Sequence, residues 1–187
     1  MLTDRFDDAL AYASRIHRDQ LRKGTDTPYI SHLLGTAAIA LENGADENQA
    51  IAALLHDAVE DQGGAARLAD IRARFGDRVA EIVEHCTDTD IEPKPPWRER
   101  KEAYIASLAH KPAASLAVSL ADKTHNASAI LADLATHGDA VWNRFTGGRE
   151  GSLWYYRSLV TAFRRRIGGA GTERLAVMID KMESIAN

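Results

Sequence analysis

Apolar residues recur along nearly the whole chain at the three-to-four-residue spacing of a helix surface, and no stretch alternates apolar and polar residues as a half-buried strand would. That regularity restricts the chain to all-α architectures. Phe6, Leu10, Ala13 and Ile16 share one stripe, which predicts an amphipathic helix over about 4–20 with Thr3 as its N-cap. Further helices are expected near 31–43, 47–61, 65–76, 77–88, 98–110, 112–135, 151–167 and 172–186. Between them lie Gly24 and Pro28 in the polar stretch RKGTDTPY, then Asn43-Gly44, Gly63-Gly64 and Gly168-Gly169. Pro93, Pro95 and Pro96 forbid helix within TDTDIEPKPPW and favour an extended surface connector, with a lid as the alternative. The expectation is one all-α domain over 1–187 with about eight to ten helices.

Composition narrows the function classes. With 187 residues, 45% of them hydrophobic, the chain can bury one good core. A net charge of −4 argues against a dedicated nucleic-acid binder, while leaving room for a local basic pocket. Cys86 is the single cysteine, so neither an internal disulfide nor a cysteine-based zinc site can form, and it reads as a small half-buried hydrophobe. No apolar run approaches the ~20 residues needed to cross a bilayer. The acidic opening MLTDRFDDAL is unlike a secretory signal, so no membrane and a cytoplasmic location are expected.

The segment Ala53–Asp61, ALLHDAVED, carries the chemistry. On one continuous helix His56, Asp57, Glu60 and Asp61 would fall at roughly 0°, 100°, 40° and 140°, a single arc. Three clustered carboxylates repel one another unless a proton or cation compensates. Such a face is either a solvated acidic surface or a metal site whose neighbouring carboxylates handle protons. Two distant segments bear on that choice. His32 sits at an expected helix start in PYISHLL, where a structural histidine is the plain reading. Asp122 interrupts an Ala/Leu-rich helix in SLADKTHN, where burial of its charge demands a cation, either Lys123 or a metal ion.

Taken together these residues form the order H…HD…D. With Arg22-Lys23, Pro28-Tyr29-Ile30, Val59-Glu60-Asp61, Leu120-Ala121-Asp122-Lys123 and Asn126, the chain resembles the small alarmone hydrolases of the HD superfamily. It is similar in the same way to the hydrolase domain of the Rel/SpoT stringent-response enzymes, over about residues 5–135. Phe75-Gly76 and Thr87-Asp88 fall where that family has FG and T-D elements. The resemblance implies an all-helical Mn²⁺-dependent 3′-pyrophosphohydrolase acting on (p)ppGpp, with the adenosine analogues (p)ppApp accepted by some bacterial members. It implies His32, His56, Asp57 and Asp122 as metal ligands and Glu60 and Asp61 as the catalytic carboxylates.

Substrate contacts are open to more than one reading. Arg22 and Lys23 are the cations best placed for an anionic nucleotide, and Asn126, one turn after Asp122, is a candidate ribose or phosphate ligand. Their plainer roles are solvated loop charges and a polar helix contact. Arg98, Arg100 and Lys101 either reach the 5′ phosphates or form a solvated face. Trp154, Tyr155 and Tyr156 read as core packing, with a border of the base pocket as the alternative. The surrounding NRFTGGREGSLWYY departs from the family's pattern, which leaves base preference open. Competing functions are an HD phosphohydrolase of another nucleotide and a non-catalytic alarmone-binding module.

Overall fold

The computed structural model describes residues 1–87 and 95–185. Among them it contains no named strand; a lone antiparallel bridge pairs Leu21 with Pro28 across the RKGTDTPY turn. The helices are α1 (Asp4–Ile16), α2 (Ile30–Glu42), α3 (Glu47–Leu55), α4 (Ala58–Asp61), α5 (Gly64–Phe75), α6 (Asp77–Cys86), α7 (Trp97–Ser107), α8 (Ala113–His137), α9 (Gly148–Arg166) and α10 (Gly169–Ile185). A 3-10 segment, Gly138–Arg144, joins α8 to α9.

Local chemistry accounts for several boundaries. Thr3 Oγ1 accepts from the Arg5 amide at the start of α1, as its position predicts. Asp46 and Gln49 form a reciprocal capping box on α3. Gly76 has φ +88°, a conformation that lets α5 end and α6 begin at the same residue. Pro95 and Pro96 lead into α7; the rest of the expected proline-rich loop, Asp88 included, lies outside the described residues.

Two expectations about helix length are corrected. α1 stops at Ile16 rather than continuing to about 20: the chain turns at His17, whose ring is 2% exposed and packs inward against Tyr29. The expected helix over 47–61 is also broken, at His56-Asp57. There His56 Nδ1 donates to the Ala53 carbonyl at 2.8 Å, occupying the acceptor that a continuing helix would offer to the Asp57 amide. The His56 imidazole therefore terminates α3 with its own side chain, and Glu60 and Asp61 ride on the separate single turn α4.

Two hydrophobic clusters flank α8. The first gathers α1 to α6 with Val118 and Ala121 of α8. The second joins α7, α9, α10 and the 3-10 segment to Leu116, Leu120, Ala127, Ile130 and Leu134 on other faces of α8. A helix buried between two clusters is apolar nearly all round, which makes its polar run Asp122 to Asn126 conspicuous. That run faces α2 and the end of α3. No helix among the described residues is long and apolar enough to cross a membrane.

Candidate metal centre and nucleotide pocket

Three helices deliver the donor atoms. His32 comes from the first turn of α2, His56 and Asp57 from the break after α3, and Asp122 from the middle of α8. The two imidazoles present Nε2 to one another at 3.3 Å. Asp57 Oδ2 lies 2.9 Å from His56 Nε2 and 3.5 Å from His32 Nε2. Asp122 Oδ1 lies 3.3 and 3.6 Å from His32 Nε2 and His56 Nε2. Bonds of about 2.1 Å place adjacent ligands about 3.0 Å apart in an octahedron and about 3.4 Å in a tetrahedron. The spacing of His32, His56 and Asp57 is therefore that of donors around one small divalent cation. His32, His56 and Asp57 all lie within 4.8 Å of each other; Asp122 stands outside that all-against-all set and reaches the two imidazoles instead.

The donor chemistry fits a metal ion as well as the distances do. His56 spends its Nδ1 proton on Ala53, which turns Nε2 inward as the nitrogen a cation would occupy in place of a proton. Removal from water disfavours charge on His56, but Asp57 and the hydrogen bonds to Asp122 and Asp57 outweigh it and hold the imidazole well above its usual range. Burial likewise opposes ionisation of Asp57 and Asp122. The His56 charge on the first, and the Lys123 ammonium on the second, keep both carboxyls well below their usual range. Two carboxylates, Asp122 buried and Asp57 half-buried, thus stay ionised and draw positive charge toward the point where the four side chains meet.

A surrounding layer fixes these ligands. The Tyr29 hydroxyl donates to Asp57 Oδ2 at 2.6 Å. Lys123 donates to Asp122 Oδ2 at 2.6 Å, and Asn126 Nδ2 donates to Asp122 Oδ1 at 2.6 Å. Asn126 Oδ1 in turn accepts from the Arg22 guanidinium at 2.8 Å, and that guanidinium stands over the Tyr29 ring. The polar helix contact expected as the plain reading of Asn126 is present, alongside its exposure to the pocket. His32 Nδ1 faces His125 Nδ1 at 2.9 Å. Burial, then the neighbouring His32 and Arg22, push His125 down to about 4.

The two candidate proton-handling carboxylates differ in setting. Glu60 is half-buried on α4. Asp61 Oδ2 accepts from Gln20 Nε2 at 2.8 Å, while Gln20 Oε1 accepts from Gln62 and pairs with His17 Nδ1. Although Asp61 as a residue is exposed, loss of water around its carboxyl, with Asp57 and Glu60 nearby, pushes it upward against the Gln20 bond. A carboxylate raised in this way is a better proton acceptor.

Beside the ligands opens a cavity of about 420 Å³, within the range of small-molecule sites. Arg22, Lys23, Lys101, Lys123 and Arg144 contribute cations to its lining, Asp133 a carboxylate paired with Arg144 at 2.6 Å, and Ile130, Phe145, Tyr155 and Tyr156 an apolar wall. An acidic chain has concentrated positive charge next to its cluster of carboxylates, which suits a polyanionic ligand with an apolar moiety. Of the cations expected after the proline-rich loop, Lys101 lines the cavity, whereas Arg98 stacks on Trp154 at the surface. Tyr155 and Tyr156 both pack in the second core cluster and border the cavity. Gln20, His125 and Arg144 were not singled out from sequence; their residue types are unremarkable and their partners lie elsewhere in the chain.

The class of this helical assembly, with H…HD…D brought toward one point, is given by comparison with known families: residues 9–153 match the HD domain, and the chain belongs to that family. The relatives are specific. The chain is 38% identical to guanosine-3′,5′-bis(diphosphate) 3′-pyrophosphohydrolase MESH1 of Xenopus tropicalis over 122 residues, 64% of this chain and 65% of that protein. It is 34% identical to MESH1 of Drosophila melanogaster over 143 residues, 75% of each. A solved structure described as a metazoan ortholog of SpoT that hydrolyses ppGpp superposes with a TM-score of 0.76 at 28% identity, covering 98% of this chain and 96% of that one.

Proposed function

We propose that this chain is a 3′-pyrophosphohydrolase of nucleotide alarmones, acting on (p)ppGpp and also on (p)ppApp, with Mn²⁺ as its metal. One observation carries the reading: His32, His56 and Asp57 converge at metal-ligand spacing, with Asp122 against both imidazoles, beside a cation-lined cavity of nucleotide size. The identity to MESH1 relatives supports the choice of substrate class.

His32 and His56 through Nε2, with Asp57 and Asp122 through one oxygen each, would hold the ion. When bound, it supplies Lewis-acid charge against the 3′-diphosphate and lowers the pKa of water. The remaining work falls to the protein's own side chains. Glu60 and Asp61 orient the attacking water and accept its proton as it adds to the phosphorus bonded to the 3′ oxygen. Gln20 holds Asp61 in position for that task. The bond from phosphorus to the 3′ oxygen breaks, releasing pyrophosphate and a nucleoside 5′-di- or triphosphate whose 3′ oxygen takes up a proton. Arg22, Lys23 and Lys123 place positive charge around the phosphates, and Asn126 offers its amide to ribose or phosphate.

The test is incubation of Mn²⁺-loaded protein with guanosine and adenosine alarmones, followed by chromatography of the products. Pyrophosphate with the matching 5′-di- or triphosphate is expected from both. Monophosphate or triphosphate release would assign a different phosphohydrolase, and tight binding without turnover would make the chain a binding module.

A further inference from the structure

The two imidazoles of the metal centre are not held alike. His56 gives its Nδ1 proton to a backbone carbonyl, an acceptor that no side-chain substitution at another position removes. His32 has no such carbonyl: its Nδ1 meets Nδ1 of another imidazole, His125 on α8, at 2.9 Å. We propose that His125 is a positioning residue, which sets the tautomer and ring orientation of His32 by accepting its Nδ1 proton, and that Gly35 is the notch which admits the His125 ring. The inference rests on the metal-binding reading above.

The proton count leaves one arrangement. A ring nitrogen can donate its lone pair to a cation only when it carries no proton, and His32 Nε2 is the nitrogen turned toward His56, Asp57 and Asp122. The His32 proton therefore sits on Nδ1. At 2.9 Å one of the two facing nitrogens must donate and the other accept, so His125 Nδ1 is the acceptor and His125 carries its own proton on Nε2. The reverse assignment would place the His32 proton on Nε2, among the donor atoms, and block the site. Metal-ligating histidines are ordinarily oriented by such an acceptor on the far ring nitrogen.

Sterics show that the sequence makes room for this contact. Gly35 lies on α2 one turn beyond His32, and a Cβ there would stand 2.0 Å from His125 Cδ2 and 2.1 Å from His125 Nε2. The imidazole fills the space of the missing side chain. Within one stretch of α8, Asp122 supplies a ligand, His125 orients a second ligand, and Asn126 donates to Asp122.

Substitutions at His125 separate an acceptor from a space-filler. His125→Phe keeps the ring and loses the acceptor, whereas His125→Asn loses the ring but keeps an oxygen at the δ1 position. Calorimetric titration with Mn²⁺ is expected to give affinity about 10–100-fold weaker for the Phe variant, close to wild type for Asn, and weakened like Phe for Gly35→Ala. Phe binding as tightly as wild type, or Asn losing as much as Phe, would overturn the assignment. Absence of Mn²⁺ binding by the wild-type chain would instead sink the metal reading beneath it. A readout free of variants is the long-range ¹H–¹⁵N spectrum of the Zn²⁺-loaded protein: His125 should carry its proton on Nε2 and His32 on Nδ1, and the opposite pattern overturns the proposal.

Discussion

Asp122 divides its two oxygens between two kinds of charge: Oδ2 takes the Lys123 ammonium, and Oδ1 faces the His32 and His56 nitrogens. At 6% exposure such a carboxylate would cost several kcal/mol if left unpaired. Of the two cations weighed from the sequence, Lys123 pairs with Oδ2, and the proposed metal would take Oδ1. The proposed roles separate cleanly by substitution. His56→Ala removes a ligand and the cap on Ala53, so elemental analysis should find the metal lost. Glu60→Gln leaves the ligand set intact; metal content should stay at wild-type level while kcat falls by about 10²–10⁴. Unchanged turnover in that variant removes Glu60 from the mechanism. Only their order, H…HD…D, and the family resemblance it carries made the four candidate donors legible in the sequence; His32 taken alone reads as structural. Gln20 and His125 were not legible, because nothing in their own neighbourhoods reveals partners 41 and 93 residues away.

Helices were easier to read than their ends. Periodicity located α2, α5, α6, α8, α9 and α10 to within a few residues, because a buried stripe repeats whatever the partner. It ran through the His56-Asp57 break, because side-chain competition for the Ala53 carbonyl leaves no mark on the hydrophobic pattern. Nor does periodicity show how two helices seat on each other, as α7 and α9 illustrate. The Trp97 indole lies against Gly147 and Gly151, edge-on to Trp154 and Tyr155 at 6.3 and 6.4 Å. Gly147 has an ordinary backbone, φ −79° and ψ −4°, so replacing it with alanine would by itself stabilise the fold by about 0.4–1 kcal/mol through the unfolded chain. Its Cβ, however, would stand 2.6 Å from the Trp97 ring, and overpacking of that kind costs about 1–3 kcal/mol. Gly147→Ala should therefore destabilise in urea denaturation. In a Trp97→Ala background the same change should turn neutral or stabilising; additivity of the two would show that the indole does not occupy the glycine cradle.

Across the whole molecule, the proposed centre ties together elements from both sides of the core. The first cluster holds α2 and α3, the second leans on other faces of α8, and the four donors sit where α2, α3 and α8 meet. At that junction two carboxylates held below their usual range face two imidazoles, one of which, His56, is held above its own. On the proposed reading, a divalent ion held there would draw on α2, α3 and α8 together and bind only the folded chain, so it would stabilise the whole fold and not merely the pocket. At a free concentration 100 times its dissociation constant the gain is about 2.7 kcal/mol, which for a chain of this size raises Tm by about 5–10 °C. Stripping the metal with a chelator should lower Tm by that amount, and re-addition of Mn²⁺ should restore it. Asp122→Asn, which keeps the shape of the side chain and removes its charge, should show a much smaller chelator-dependent shift. Equal shifts in wild type and variant would mean that the ion which stabilises the fold does not bind where α2, α3 and α8 converge.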